Sequence, residues 1–342
     1  MLFFLRKIRR KLISTDNKIV SYLLYAIGEI FLVVVGIMIA VQLDNWNEQR
    51  KDNEKLENYL KLVQLDLKKD IENIRLLKDY YFEKDSLLDV ILFDSIPKDS
   101  LRKERYQKVT RVFNSLTSFE PSREGYEKLT LLGDLASRKH PEVYDNLTFQ
   151  YNNRANILNK SIQSTRQVFW DYRENIKNKE WYADYMMLSF RGSKVPPSYF
   201  IDYFYSDPQS RNNISRYHYN IVKVALRLTV DYEYLAMHNY REVTAALGQD
   251  TIPDEFVLRL PTSLEVEQLT GTFAFRDLDL ISFTQNDNKL YFEDAPVYFN
   301  HENSMVVNIY PGAYRIFKVE EDGQILVRSQ GNHDDTYTKQ IP

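Results

Sequence analysis

Between residues 19 and 43 the chain carries a single ionisable side chain, Glu29, in a run that is otherwise almost wholly apolar. At about 1.5 Å per residue, a helix over residues 22–43 would reach roughly 33 Å, enough for a hydrocarbon core of about 30 Å. Ahead of it, residues 1–21 hold Arg6, Lys7, Arg9, Arg10, Lys11 and Lys18 against Asp16 alone. Tyr22 and Tyr25 at one end and Trp46 at the other stand where an interfacial aromatic belt lies. A cleaved signal peptide would have an apolar region of about 7–15 residues and a small-x-small cleavage site. Here Met38 stands two places before Ala40, which breaks that pattern. A buried helix of a soluble domain would leave the basic cluster unexplained. The run therefore reads as an uncleaved, single-pass transmembrane helix over 21–43. The excess of Lys and Arg places a basic tail, 1–20, in the cytoplasm and the rest of the chain across the cell inner membrane, in the periplasm.

Within the span, Glu29, Gly36 and Ala40 are spaced by seven and four, so they share a helical stripe. Gly36 and Ala40 form a small-xxx-small pair that lets a second backbone approach closely. A carboxyl near mid-membrane costs about 2.5–3.5 kcal/mol on insertion scales and is usually partnered. These three residues are the candidate helix contact, with a second copy of the chain or with another membrane protein.

After the anchor, Leu60, Leu67, Ile74, Tyr81 and Leu88 recur every seven residues, with Val63, Ile71, Leu77 and Ile91 between them. That is one apolar helical stripe. Asp70 and Lys84 interrupt its three-four seam, which favours bundle packing over a continuous dimeric coiled coil. Ile96-Pro97 ends this helix, and a second is expected over about 101–116. Ser122 is the expected N-cap of a short helix through Leu131, with Gly133 as its stop. Pro141 opens a long helix to about Ile176. A loop-like region follows, marked by Pro196-Pro197 and Asp207-Pro208, and a last helix runs from about 213 to 247, capped by Gly248. The expectation for 44–250 is a periplasmic bundle of about four main helices.

The segments Tyr22-Leu23-Leu24-Tyr25-Ala26-Ile27-Gly28-Glu29, 33–40 and Asn45-Trp46-Asn47 closely resemble the anchor of single-pass proteins of Bacteroidota that carry a domain of unknown function. Across 51–250 the resemblance rests on Glu120-Pro121, Gly125-Tyr126-Glu127-Lys128-Leu129 and Leu132-Gly133-Asp134, in the expected order. It implies an envelope location in a Gram-negative cell and brings no catalytic residues with it.

Residues 251–264 read as a linker, after which the period changes from helical to alternating. Six strands are expected, at 271–275, 280–284, 289–293, 305–309, 314–319 and 324–328. Asn286-Asp287-Asn288 and Glu321-Asp322-Gly323 make hairpin turns between them. The segment 265–342 is thus a small antiparallel β-barrel or sandwich. It carries 13 acidic against 6 basic side chains. Its order of Leu269-Thr270-Gly271-Thr272-Phe273, Asn288-Lys289-Leu290-Tyr291, Phe317 and Gly323 resembles small β-domains appended to bacterial envelope proteins. The fold class is a membrane-anchored α+β protein.

The absence of Cys removes thiolate metal sites and thiol nucleophiles. A net charge of −3 gives no reason to expect nucleic acid. The five histidines, His140, His218, His238, His301 and His333, show no close metal-ligand spacing. His218 and His238 share a helix but stand about 30 Å apart along it, too far for one ion. His333-Asp334-Asp335, before the final strand, reads as a surface turn. No nucleophile elbow, P-loop or dinucleotide fingerprint is present. No catalytic residue, cofactor or metal is therefore expected. An enzyme reading would need a pocket that gathers His218, His238, Glu233 and Asp231. The run Tyr199-Phe200-Ile201-Asp202-Tyr203-Phe204-Tyr205 is a candidate partner or ligand surface if its rings are exposed, and bundle cover if they are not. The expected role is an anchored interaction or scaffold protein, the alternative a small-ligand sensor using the β-domain or the Tyr-rich segment.

Overall fold

The computed structural model describes residues 18–93, 112, 116–184, 186, 198–275, 279–310, 313–321, 325–330 and 336–339. The chain divides into two compact units, residues 1–58 and 59–342. Helix α1 (Lys18–Phe93) is continuous through residue 58. In the first unit its apolar side chains are bare: Ile30, Phe31, Leu32, Ile37 and Met38 all lie between 57 and 66% exposed. An 18-residue window there has a mean hydropathy of 2.4 and nothing buried, so this one helix is long and apolar enough to cross a membrane.

In the second unit α1 behaves oppositely. Leu60, Val63, Leu67, Ile71, Ile74, Leu77, Tyr81, Leu88 and Ile91 are all buried, as the seven-residue recurrence predicts. Against this stripe pack α2 (Glu124–Thr130), whose Gly125 amide donates to Asp66, and α5 (Ala155–Ile176), whose Thr165 meets the Tyr81 hydroxyl; between them run α3 (Asp134–Lys139), α4 (Pro141–Thr148) and a π-helical segment, Phe149–Arg154. Then come α6 (Ser198–Ser206), α7 (Pro208–Tyr217), a second π-helical segment, His218–Val222, and α8 (Lys223–Ala246). Gly248, at φ +67°, ends α8 as expected, and the Gln249 amide returns to the Thr244 carbonyl.

Three helix expectations need correction. Ser122 is not a side-chain cap: α2 starts at Glu124, and the Gly125 amide in its first turn is satisfied by Asp66 of α1 instead. The segment read as loop-like holds α6 and α7. Asp207 accepts the Ser210 amide at 2.8 Å and Pro208 takes the first helical position, so this pair starts a helix. The last helical run therefore begins at Pro208 and not near 213. The helix expected over 101–116 falls largely outside the described residues, as do the Glu321-Asp322-Gly323 turn, Pro196-Pro197 and the basic tail.

The segment read as a linker is laid against the body. Phe256, in a short 3-10 turn (Asp254–Phe256), is fully buried against Tyr240 and beneath Arg75. Thr262 and Glu265 form a reciprocal capping box for α9 (Ser263–Leu269).

Eight antiparallel strands follow: β1 (Gly271–Phe275), β2 (Asp279–Asn286), β3 (Lys289–Phe292), β4 (Ala295–Phe299), β5 (Ser304–Tyr310), β6 (Ala313–Glu321), β7 (Ile325–Gln330) and β8 (Thr336–Lys339). Each pairs with its neighbour in sequence, and β1 pairs with β8 (Phe273 opposite Lys339, Ala274 opposite Thr338), so the sheet closes into a barrel. The β2–β3 hairpin turns on Asp287 and Asn288, both with positive φ, as a two-residue primed turn requires. Strand β4 is absent from the six expected strands because Pro296 sits in it. The proline falls at the second position, before pairing with β5 begins at Val297. The interior is filled by Phe273, Phe283, Phe292 and Phe317, with Val266 and Leu269 of α9 added to the same core.

Candidate functional site

Glu29, Gly36 and Ala40 lie on the exposed part of α1, and a Cβ built on Gly36 would meet nothing within 4 Å. The whole apolar stretch of the helix is equally bare, so exposure does not single out this stripe.

The tyrosine-rich run forms α6, with Tyr199 and Phe200 at its start. Phe204 and Tyr205 are buried and Tyr203 is half-buried. The Trp181 and Tyr203 rings meet at a tilt with centroids 5.1 Å apart, and Tyr172 lies 6.0 Å from Phe204. These three residues cover the bundle and offer little free ring surface, which corrects the exposed-loop reading for Tyr203, Phe204 and Tyr205.

The two polar interruptions of the α1 seam turn out to be buried polar sites. Asp70, with no exposed surface, accepts the Ser122 amide at 2.7 Å and the Tyr232 hydroxyl at 2.8 Å. One turn earlier, Asp66 accepts the Gly125 amide at 2.7 Å. Two carboxylates on one helix face thus hold the entry to α2, Asp70 through the Ser122 amide before it and Asp66 through the Gly125 amide in its first turn. Burial pushes the Asp70 carboxyl up to about 7, against the pull of the Ser122 amide and the Tyr232 hydroxyl. Lys84 is buried beneath Tyr80, donates to the Val112 carbonyl, and is pushed down to about 7 by that burial.

Beside Lys84, α1 meets the π-helical segment His218–Val222. The His218 ring is fully buried, and its Nε2 lies 2.7 Å from Asp85 Oδ1 and 3.5 Å from Asp89 Oδ1. Lys223 places Nζ 3.1 Å from Asp85 Oδ1. Asp85 is desolvated, yet the His218 hydrogen bond and the Lys223 charge together hold its carboxyl below the usual range. The three potential ligand atoms of Asp85, Asp89 and His218 all lie within 4.8 Å of one another. Spacing along the chain does not signal this set, since more than a hundred residues separate the aspartates from the histidine. The π-helical register is the local departure that marks it in the structure.

The four groups named for an enzyme do not converge. Glu233 lines a cleft of about 260 Å³ with Arg75, Lys78, Asn300 and Glu302. There it is neutralised by Arg75 at 2.9 Å and Lys78 at 2.6 Å. Asp231 accepts the Tyr314 amide at 2.7 Å, which ties α8 to β6, and burial raises its carboxyl to about 6. His238 is half-buried, and desolvation lowers its proton affinity. His218 belongs to the Asp85 cluster. The His333 cluster lies outside the described residues. Within the barrel, Phe273, Phe283, Phe292 and Phe317 pack together, and a cleft of about 390 Å³ opens beside them between Arg259, Gln268, Leu269, Phe299 and Val319.

No known protein family, curated protein or solved structure matches the chain.

Proposed function

We propose that this protein is an anchored interaction or scaffold subunit of a cell envelope, held in the inner membrane by residues 21–43. In this reading its N-terminus is cytoplasmic and its helical body and β-barrel are periplasmic. The observation that carries the reading is the contrast along α1: the same helix is bare where it is uniformly apolar and buried where it is amphipathic. The basic cluster before the span supports the orientation, and the resemblance of residues 1–50 to the Bacteroidota anchor supports the envelope. The Glu29–Gly36–Ala40 stripe supplies the contact, with a second copy or another membrane protein. The four groups His218, His238, Glu233 and Asp231 stand apart among the described residues, which favours this role over the enzyme reading that needed them together.

Gentle-detergent purification of tagged full-length protein, beside Glu29→Ala and Gly36→Leu, tests the reading. Native mass measurement should find an oligomer or a stoichiometric membrane partner with the wild type, and the variants should lose it. The same monomeric species from all three would end the membrane-contact reading.

A further inference from the structure

We propose that Asp85, Asp89 and His218 form a binding site for one divalent first-row transition-metal ion, with zinc the ion that the donor set fits best. One imidazole nitrogen and two carboxylate oxygens converge from two helices: Asp85 and Asp89 from successive turns of α1, His218 from the π-helical segment before α8. Imidazole with carboxylate and no thiolate is a donor set for zinc and its neighbours rather than for calcium or magnesium. Ligands held at about 2.0–2.2 Å from one ion stand roughly 3–3.5 Å apart at adjacent positions. The 3.5 Å from His218 Nε2 to Asp89 Oδ1 already meets that spacing, and the 2.7 Å to Asp85 Oδ1 opens to it by a small side-chain rotation.

The charges fit the same assignment. Two carboxylates and the Lys223 ammonium sum to −1, which a divalent ion bound through the imidazole lone pair turns to +1. Lys223 lies 3.4 Å from Asp85 Oδ2 as well as 3.1 Å from Oδ1, so it can keep the outer oxygen while the ion takes the inner one. His218 Nδ1 is buried with no hydrogen-bond partner among the described residues. Without an ion, Nε2 donates to the Asp85 carboxylate at 2.7 Å; an ion taking Nε2 displaces that proton and leaves Nδ1 to carry the ring N–H. Asp89 is partly open to solvent, so water completes the coordination from that side. Three protein ligands with a remaining open position make a site of the reactive rather than the purely structural kind. The other buried acids differ: Asp70 is occupied by an amide and a hydroxyl, Asp231 by an amide, and Glu233 by two cations.

The test is calorimetric titration of zinc into chelator-treated full-length protein in detergent, beside Asp89→Asn and His218→Gln. Circular dichroism melting confirms the fold of each variant, and Asp89, the most exposed of the three ligands, is the substitution the fold tolerates best. The expected result is one saturable equivalent in the wild type, weakened about tenfold or more in each folded variant. No saturable uptake by the folded wild type, or uptake undiminished in folded Asp89→Asn, would overturn the proposal.

Discussion

Gly125 sits directly on the backbone of Val63. A Cβ at Gly125 would lie 2.7 Å from Val63 Cα, 2.6 Å from the Leu62 carbonyl carbon, and nearer still to the Val63 amide nitrogen. The Gly125 amide, at this same point, donates to Asp66. The glycine is required here for close approach, since its contacts are with backbone that has nowhere to move. Gly125→Ala should destabilise the body by about 3 kcal/mol or more, read as a lower midpoint in urea unfolding followed by tryptophan fluorescence. Gly36→Ala, in open space, should leave that midpoint unchanged.

Asp70 ionises near 3.9 in an unfolded chain and near 7 in the folded protein. Between those values the folded state holds the extra proton, so the Asp70 contribution to stability declines as pH rises from about 4 to about 7; above 7 Lys84, lowered to about 7, works in the opposite direction and stability rises. Three units correspond to a loss on the order of 4 kcal/mol. Asp231, raised to about 6, adds a smaller decline of the same sign. Urea unfolding between pH 4.5 and 7 should show this slope, and Asp70→Asn should flatten most of it. An unchanged slope in the variant would remove Asp70 as its source.

The barrel interior should behave as a packed core. Phe283 touches Phe273, Phe292 and Phe317 with ring centroids 5.4–5.8 Å apart. Phe283→Ala should therefore cost about 3–5 kcal/mol. On the adjoining stretch of β2, Leu280 is 63% exposed, and Leu280→Ala should stay within about 0.5 kcal/mol of wild type.

If α6 covers the bundle, Phe204→Ala should lower thermal stability by an amount typical of a buried aromatic, about 3–5 kcal/mol. Tyr203→Ser, at a half-buried position, should cost clearly less. Thermal melts of the two variants rank them. The reverse ranking would return the segment to the surface.

Much of the helical plan is legible because burial follows periodicity: the residues repeating every seven along α1 are the ones the body covers. The primed turn at Asp287-Asn288 and the stop at Gly248 are legible because positive φ restricts residue choice. Asp207-Pro208 misleads, since proline both breaks helices and opens them, and only the Asp207 cap to Ser210 decides between the two. Ser122 misleads because the Gly125 amide it would have capped is served from α1 by Asp66, while its own amide goes to Asp70, tertiary contacts with no local trace. Asp70 and Lys84 are visible as faults in an apolar seam, but their partners, Tyr232 and the Val112 carbonyl, are not. The cluster of Asp85, Asp89 and His218 is hidden for the same reason: the i, i+4 aspartates look like any solvated helix face until the chain returns.

Strand β8 supplies the seam that closes the barrel, and its Lys339 donates to the Gln268 carbonyl, 71 residues earlier. During synthesis β1 emerges early and stays without its second neighbour until the residues of β8 leave the ribosome. Until then the sheet has two raw edges, the usual templates for association between unfinished chains. A ring joined by its first and last members also folds slowly, because the largest loop must close before the final contacts form. The nascent domain therefore passes through an interval in which it is open and adhesive, and its yield depends on what shields those edges while the last strand is being made.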